Sequence, residues 1–298
     1  MTCLRSFFLA MVCGLAPLTA AAQTPTPEAP PAETPSPAQA PPAAQTPPAD
    51  QPDQSDPDAR VDALQPDFNL AALPTTLRLP LHKLSFRVTH RFTRSLGQGD
   101  FGDLVSDLFG FDSGAQIGLE LRYGLMRGTQ IGVHRTSDRT IQIFGQHSFL
   151  NERDSKPIGL DGIVTLEGGN NLQENHKSTL GAVVSRNVAG HAALYAEPMV
   201  VINSSPFETG DQNTLMLGLG TRLRVRPSLY LVGEITPRLA GFDPGSSQVS
   251  FGVEGRAGGH LFQLNFSNGF GTTLGQVATG AFNYDNWYIG FNISRKFF

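Results

Sequence analysis

Cysteine is nearly absent from this sequence, which has only Cys3 and Cys13 among 298 residues. Both fall within residues 1–22, where Arg5, an apolar stretch and small residues ending at Ala22 follow the pattern of a secretory signal peptide. Cleavage after Ala22 would leave a mature chain without thiols. Such a chain forms neither disulfides nor cysteine-ligated metal sites.

Long apolar runs and clustered positive charge are also missing. Outside the signal segment, no run reaches the roughly 18 apolar residues that a membrane-spanning helix needs. Charged residues make up 16% of the chain, and the formal net charge is -4. From residue 68 onward, 20 basic side chains stand against 18 acidic ones. This balance predicts no nucleic-acid partner, because nucleic-acid binding needs a concentrated basic face.

Proline is concentrated in one stretch, since 13 of the 22 prolines lie within residues 23–67. Eight acidic residues and a single base accompany them. Such a composition cannot bury a core, so we predict a disordered, extended linker that forms a periplasmic leader. The leader either contacts a periplasmic or cell-wall partner or is a solvated tail. The predicted organisation is a signal peptide at 1–22, the linker at 23–67 and a folded domain at 68–298.

The folded domain is rich in strict two-residue alternation. Residues 248–268 show it most clearly, because apolar and polar side chains alternate on both sides of Gly258 and Gly259, which is typical of a β-hairpin. Twelve strands are predicted in this way, at 84–93, 115–123, 129–136, 140–149, 158–167, 179–188, 192–202, 214–225, 229–238, the two arms of the 248–268 hairpin, and 287–297.

The connections between these strands alternate mostly between short turns and longer loops. This asymmetry and the even strand count favour an all-β fold, a twelve-stranded antiparallel up-and-down transmembrane β-barrel. A soluble β-sandwich also alternates, but it does not require short turns at one end only. We therefore expect the outer membrane of a Gram-negative bacterium, with membrane lipid and the outer-membrane assembly machinery as partners.

Four segments carry a resemblance to a known family. They are LSFRVTHRF at 84–92, LFGFD at 108–112, LVGEITPRLAG at 231–241 and GGHLFQLNFSN at 258–268. In these segments the chain resembles DUF5777, an uncharacterised family of bacterial outer-membrane β-barrel proteins, and the likeness covers about residues 80–298. The resemblance implies the fold and the location. It implies no activity.

The polar face of the predicted strands collects charge. Its candidate lumen-lining residues are Arg87, Arg91, Glu120, Arg122, Asp161, Glu167, Glu197, Arg222, Arg224, Glu234, Arg238, Glu254 and Arg256. In a narrow lumen these charges should pair with one another. Six glycines on the same face leave space in the lumen because they carry no side chain: Gly118, Gly132, Gly218, Gly220, Gly252 and Gly290.

Barrel size leaves two functions open. Barrels of about eight strands are filled by side chains and those of 16–18 strands hold a channel, so twelve lies between. One hypothesis is a passive channel for small polar solutes. The alternative is a closed barrel that acts as a membrane anchor or interaction partner and transports nothing.

The loop at 94–114 has a pattern of its own. Apolar residues recur at helical spacing from Phe101, and Asp100, Asp103 and Asp107 lie on another face, which predicts a short amphipathic helix. The helix is either a lid over the mouth or a surface helix with a solvated acidic face. A calcium site is the weaker alternative, because the spacing of a liganding loop is missing.

No catalytic constellation is predicted. His147 and Ser148 are adjacent, so a strand directs their side chains to opposite faces. His90 falls with the lipid-directed residues, and no serine partner is identifiable for it. We therefore expect a protein that is not an enzyme and that uses neither a metal nor a cofactor.

Overall fold

The structure is a computed structural model. It describes residues 58, 60, 62–207, 209–281 and 283–297. The predicted signal peptide and most of the predicted linker lie outside the described residues. Within the described part of the chain, no helix combines the length and the apolar character required to cross a bilayer.

One antiparallel sheet closes on itself. Its strands are β1 Leu84–Phe92, β2 Ala115–Met126, β3 Thr129–Thr136, β4 Ile141–Leu150, β5 Gly159–Gly168, β6 Glu174–Val188, β7 Ala192–Ile202, β8 Thr214–Arg226, β9 Leu229–Ile235, β10 Arg238–Gly241, β11 Val249–Ala257, β12 His260–Ser267 and β13 Tyr288–Phe297. Consecutive strands pair from β1 to β9 and from β11 to β13, β9 also pairs with β11, and β1 pairs with β13. Strands β9 and β10 are separated by a break at Thr236 and Pro237, and both pair with β8, so together they count as one strand of the barrel. The thirteen segments therefore form twelve barrel strands. The predicted twelve-stranded barrel is confirmed.

The two ends of the barrel differ in their connections. Five short connections lie at one end, which we call the short-turn end, and four of them hold at most three residues. The opposite, long-loop end carries most of the longer connections and three helical segments: α1 Phe101–Ser106, α2 Gly169–Leu172 and α3 Leu274–Thr279. Two 3-10 turns complete the fold, at Leu108–Gly110 and at Glu152–Asp154.

The outer surface of the strands is apolar. Large exposed apolar side chains occur on nearly every barrel strand, among them Leu119, Val164, Leu180 and Leu264. Leu180 is 70% exposed, which settles the phase of β6 that its sequence left ambiguous. An apolar band of this extent around a closed barrel is the surface that lipid covers in a membrane barrel.

A segment of the chain lies inside the barrel. Every residue from 64 to 80 is buried. Asn69 and Pro74 form an antiparallel bridge, the Leu70 N–H donates to the Leu73 carbonyl at 2.7 Å, and the Thr75 N–H donates to the Phe68 carbonyl at 2.8 Å. Residues 62–80 therefore fold back as a hairpin, which we call the lumen hairpin. It begins before residue 68, the predicted start of the folded domain.

The apolar part of the hairpin joins a core within the lumen. Leu64, Leu70 and Leu73 pack in one buried cluster with inward residues of β5–β9, including Tyr195 and Met199. The same cluster holds three residues of α3, which enters the lumen from the long-loop end. The barrel is thus filled from both ends, by the hairpin at the short-turn end and by α3 at the other.

Candidate functional site in the closed lumen

The tip of the lumen hairpin is held by one carboxylate of the wall. The main-chain N–H groups of Ala71, Ala72 and Leu73 all donate to Glu234 on β9, at distances between 3.0 and 3.1 Å. Successive N–H groups turned to one side form a concave anion site in proteins. Here the anion belongs to the barrel wall, so Glu234 fixes the tip at a defined position.

The carbonyl groups of the tip face donors on other strands. Arg222 on β8 donates to the Asn69 carbonyl at 2.7 Å, and Gln263 on β12 donates to the Leu70 carbonyl at 3.2 Å. The Ala71 carbonyl accepts from Arg87, Arg91 and Asn292. The wall therefore recognises the main chain of the tip from both sides.

The two leucines of the tip fit a notch in the wall. A Cβ added at Gly220 would overlap the Leu70 side chain, and one added at Gly218 would lie 3.0 Å from Leu73. Both glycines are on β8 and face the lumen. The space that they leave is therefore occupied by the hairpin, and a side chain at either position would compete with it.

The legs of the hairpin attach to the wall nearer the short-turn end. Thr76 lies against Ser185 on β6, with their hydroxyl oxygens 2.5 Å apart. Arg78 forms an ion pair with Asp58 at 2.7 Å and another with Asp154, in the β4–β5 connection, at 2.6 Å. These contacts close the entrance through which the chain reaches the lumen.

Acidification should loosen this entrance. The hydrogen bond from Arg78 holds the pKa of Asp154 below its ordinary value, with Arg127 and Lys156 adding to the effect. A carboxyl with a lowered folded pKa stabilises the docked leg above its unfolded pKa of about 3.9, and that contribution is lost as the pH falls through the folded value. We expect faster thiol labelling of a Thr76→Cys chain at acid pH, after correction for thiolate content. Asp154→Asn should label faster at neutral pH and respond less to acid; an unchanged response would contradict the assignment.

The structure places the candidate lining residues on the inner side of the wall. Ten of the thirteen are buried, and Arg224, Arg238 and Arg256 are half-buried. Two close pairs form among them, Arg222 with Glu254 at 2.7 Å and Arg122 with Glu120 at 2.9 Å. Glu234 and Arg222 also bond to the hairpin, and Arg238 bonds to α3.

Helix α3 is held at both of its ends. Glu167 accepts from the Gly275 N–H at 3.1 Å, near the start of the helix, and Arg238 donates to the carbonyls of Val277 and Ala278 at its end. This arrangement places opposite charges at the helix ends that favour them. Outside α3, at the long-loop end, an open pocket of about 630 Å³ is lined by Lys177, Asp138 and several side-chain amides.

The 94–114 loop does not fill the mouth. Helix α1 is present as predicted, but none of its residues is buried. Asp100 and Asp103 form a capping box at its start, and Asp107 pairs with Arg94 at 2.6 Å. The three carboxylates of the calcium hypothesis are thus engaged in a helix cap and an ion pair. Among the described residues, no group of three or more metal-ligating side chains is assembled.

Several residues of the site carry no charge and were not singled out from the sequence. Asn292, Gln263 and Gln146 each donate to a main-chain carbonyl of the hairpin. The alternation places all three on the polar face of their strands, which was the only available signal. The sequence does not mark what they bind, because their partners are main-chain atoms.

The sequence matches the family described as a membrane bound beta barrel domain (DUF5777) over residues 67–297. The chain belongs to this family. The DUF5777 match includes the hairpin tip and its second leg, so this part of the hairpin lies within the family domain. No curated protein matches the sequence.

Solved barrel structures are similar at low identity. The NanC porin shares 7% identity, covers 72% of this chain and 100% of its own, and has a TM-score of 0.48. The COG4313 outer membrane channel from Pseudomonas putida F1 shares 13% identity with a TM-score of 0.47, covering 74% of this chain and 97% of its own. The KdgM porin shares 8% with a TM-score of 0.46, covering 72% and 99%.

Proposed function

We propose that this DUF5777 protein is an outer-membrane channel for small polar solutes that its own lumen hairpin and helix α3 close. The observation that carries the proposal is the way in which the lumen is filled. The wall leaves room for two passes of chain, and the hairpin that occupies this room comes from outside the sheet. The hairpin tip is held by hydrogen bonds to Glu234, Arg222 and Gln263, and in an open barrel these side chains would face the path.

The lining that the departing hairpin would expose suits polar solutes. Ten candidate lining residues are buried in the closed barrel, and their charges include both signs. Mixed charges that pair with one another, such as Arg222 with Glu254, give a hydrated wall without a large net field. The outer pocket near Lys177 would be the entrance of the same path.

A second function is favoured by the burial of the hairpin. Seventeen consecutive buried residues, from 64 to 80, give the closed state a substantial core. A barrel that never opens would serve as a membrane anchor. Its short-turn end would then present the preceding leader to a periplasmic or cell-wall partner.

A cysteine staple separates the two functions. The predicted mature chain has no thiol, and the Thr76 and Ser185 hydroxyl oxygens are 2.5 Å apart. Thr76→Cys with Ser185→Cys should therefore form a disulfide that fixes the hairpin to β6. In planar bilayers we expect the oxidised chain to be silent and the reduced chain to give discrete current steps.

A replacement variant supplies the deciding comparison. Residues 64–79 and the α3 residues 274–279 are each exchanged for flexible Gly/Ser segments of the same length, because both fill the lumen. The folded barrel is verified by circular dichroism and by its heat-dependent mobility in gels. Steady current from this variant would support the channel. If the variant folds and inserts but gives no current, the channel hypothesis is contradicted and the closed membrane anchor is the function that remains.

A further inference from the structure

Three side-chain donors converge on one carbonyl oxygen deep in the lumen. Arg87 and Arg91, on β1, and Asn292, on β13, all donate to the main-chain carbonyl of Ala71 at the hairpin tip. The Asn292 bond is 3.1 Å long and the Arg91 bond is 3.4 Å long. The side chains share one wall, because β1 and β13 are neighbours and Arg91 stands opposite Gly290 in their register.

A neutral carbonyl is a poor match for this set of donors. It offers two lone pairs, whereas two guanidinium groups and an amide surround it. Arg87 Nε, Arg87 Nη1 and Arg91 Nε have no hydrogen-bond partner among the described atoms. The two arginines are only 3% and 0% exposed, so water in bulk does not satisfy these groups.

The charge of the two arginines is also incompletely balanced. The Glu120 carboxylate lies 3.8 Å from Arg87, but it bonds more closely to Arg122, at 2.9 Å. The hydrogen bonds of Arg91 go to the carbonyls of His90 and Ala71 and to the amide oxygen of Asn292. Glu234, the carboxylate across the tip, is bonded by main-chain N–H groups of the hairpin.

We propose that Arg87, Arg91 and Asn292 form an oxyanion site in which the Ala71 carbonyl stands in for the ligand while the barrel is closed. The ligand is a small carboxylate or phosphate, because planar guanidinium groups bind these anions through paired hydrogen bonds. This assignment rests on the proposed channel and names its solute class. Since anion and hairpin need the same donors, the anion favours the open barrel.

The first test leaves the site unaltered. The reduced Thr76→Cys/Ser185→Cys chain is placed in bilayers at constant ionic strength, and chloride is exchanged for inorganic phosphate or for acetate. We expect a several-fold rise in the fraction of time spent open with at least one of the two anions. The phosphate and acetate arms distinguish a phosphate solute from a carboxylate solute.

The second test removes donors. Arg91→Gln and Arg87→Gln should each weaken the anion response by about tenfold or more, because hydrogen bonds to charged groups are the strong ones. Arg226→Gln is the matched control, since it removes an exposed arginine at the end of β8 that is not among the candidate lining residues. Its response should equal that of the parent.

Calorimetric titration of phosphate and acetate into the Gly/Ser replacement variant measures the intact site even if the arginine variants fail to fold. Binding there, lost on addition of Arg91→Gln in a folded barrel, supports the site. If neither phosphate nor acetate changes the fraction of time spent open, and neither binds in the calorimeter, the oxyanion site is overturned while the channel proposal is retained. Silence of the folded replacement variant overturns both proposals.

Discussion

Replacing Glu234 with alanine should release the hairpin tip while the barrel stays intact. The substitution removes the acceptor of three buried N–H groups, those of Ala71, Ala72 and Leu73. A buried donor left unsatisfied costs about 1–3 kcal/mol, so the docked hairpin should lose at least ~3 kcal/mol. The sheet pairs through main-chain bonds of β9, which the substitution leaves in place.

The measurement is the rate at which a water-soluble maleimide labels a Thr76→Cys chain. Thr76 is 1% exposed while the hairpin is docked. A loss of ~3 kcal/mol predicts a rise in labelling of about a hundredfold. Glu197→Ala is the control, because Glu197 is equally buried on β7 and its carboxylate oxygens have no hydrogen-bond partner among the described residues. Equal labelling rates in the Glu234 variant and the parent would show that the tip is held elsewhere.

A leucine at position 220 should push the hairpin out of its notch. A Cβ at Gly220 already overlaps Leu70, and β8 is fixed by ladders on both sides. The hairpin is therefore the part that moves. Overpacking of a fitted core costs about 1–3 kcal/mol, which corresponds to a rise in Thr76→Cys labelling of roughly fivefold to a hundredfold.

Two further variants isolate the effect of the notch. Gly255→Leu adds the same side chain at a β11 position where an added Cβ meets no atom within 4 Å, so labelling should stay at the parental rate. In the double variant Leu70→Gly/Gly220→Leu, the smaller residue at position 70 makes room for the leucine added at position 220. The pair should recover part of the loss, because substitutions in direct contact are not additive. Failure of the double variant to recover would argue against a direct fit.

The strands were predictable because their signal is local. Each outward residue of β11 and β12, such as Phe251 or Leu264, meets lipid, so the sequence itself must alternate. The predicted bounds differ from the structure by a few residues at most strand ends. The largest difference is β6, which begins at Glu174 instead of 179, where polar side chains continue the strand beyond the apolar band.

The hairpin was hidden for physical reasons. Residues 62–67 continue the acidic, proline-containing composition of the leader, and composition alone does not separate a packed leg from a solvated tail. The tip binds through its main chain, so Ala71 and Ala72 carry no side-chain signature. Gly218 and Gly220 were recognised as space in the lumen, but a glycine does not indicate what fills the space beside it.

The partners of the hairpin are widely spread along the chain. Ser185 is 109 residues from Thr76, Glu234 is 163 residues from Ala71, and Asn292 is 221 residues from it. The hairpin is therefore synthesised before every strand and can be fully seated only after the last one has paired with β1. Long-range contacts of this kind form late, because each closes a large loop of chain. A barrel whose insertion stops before that pairing consequently has its strands in place but no docked hairpin. A closed lumen therefore distinguishes the molecules that have completed assembly.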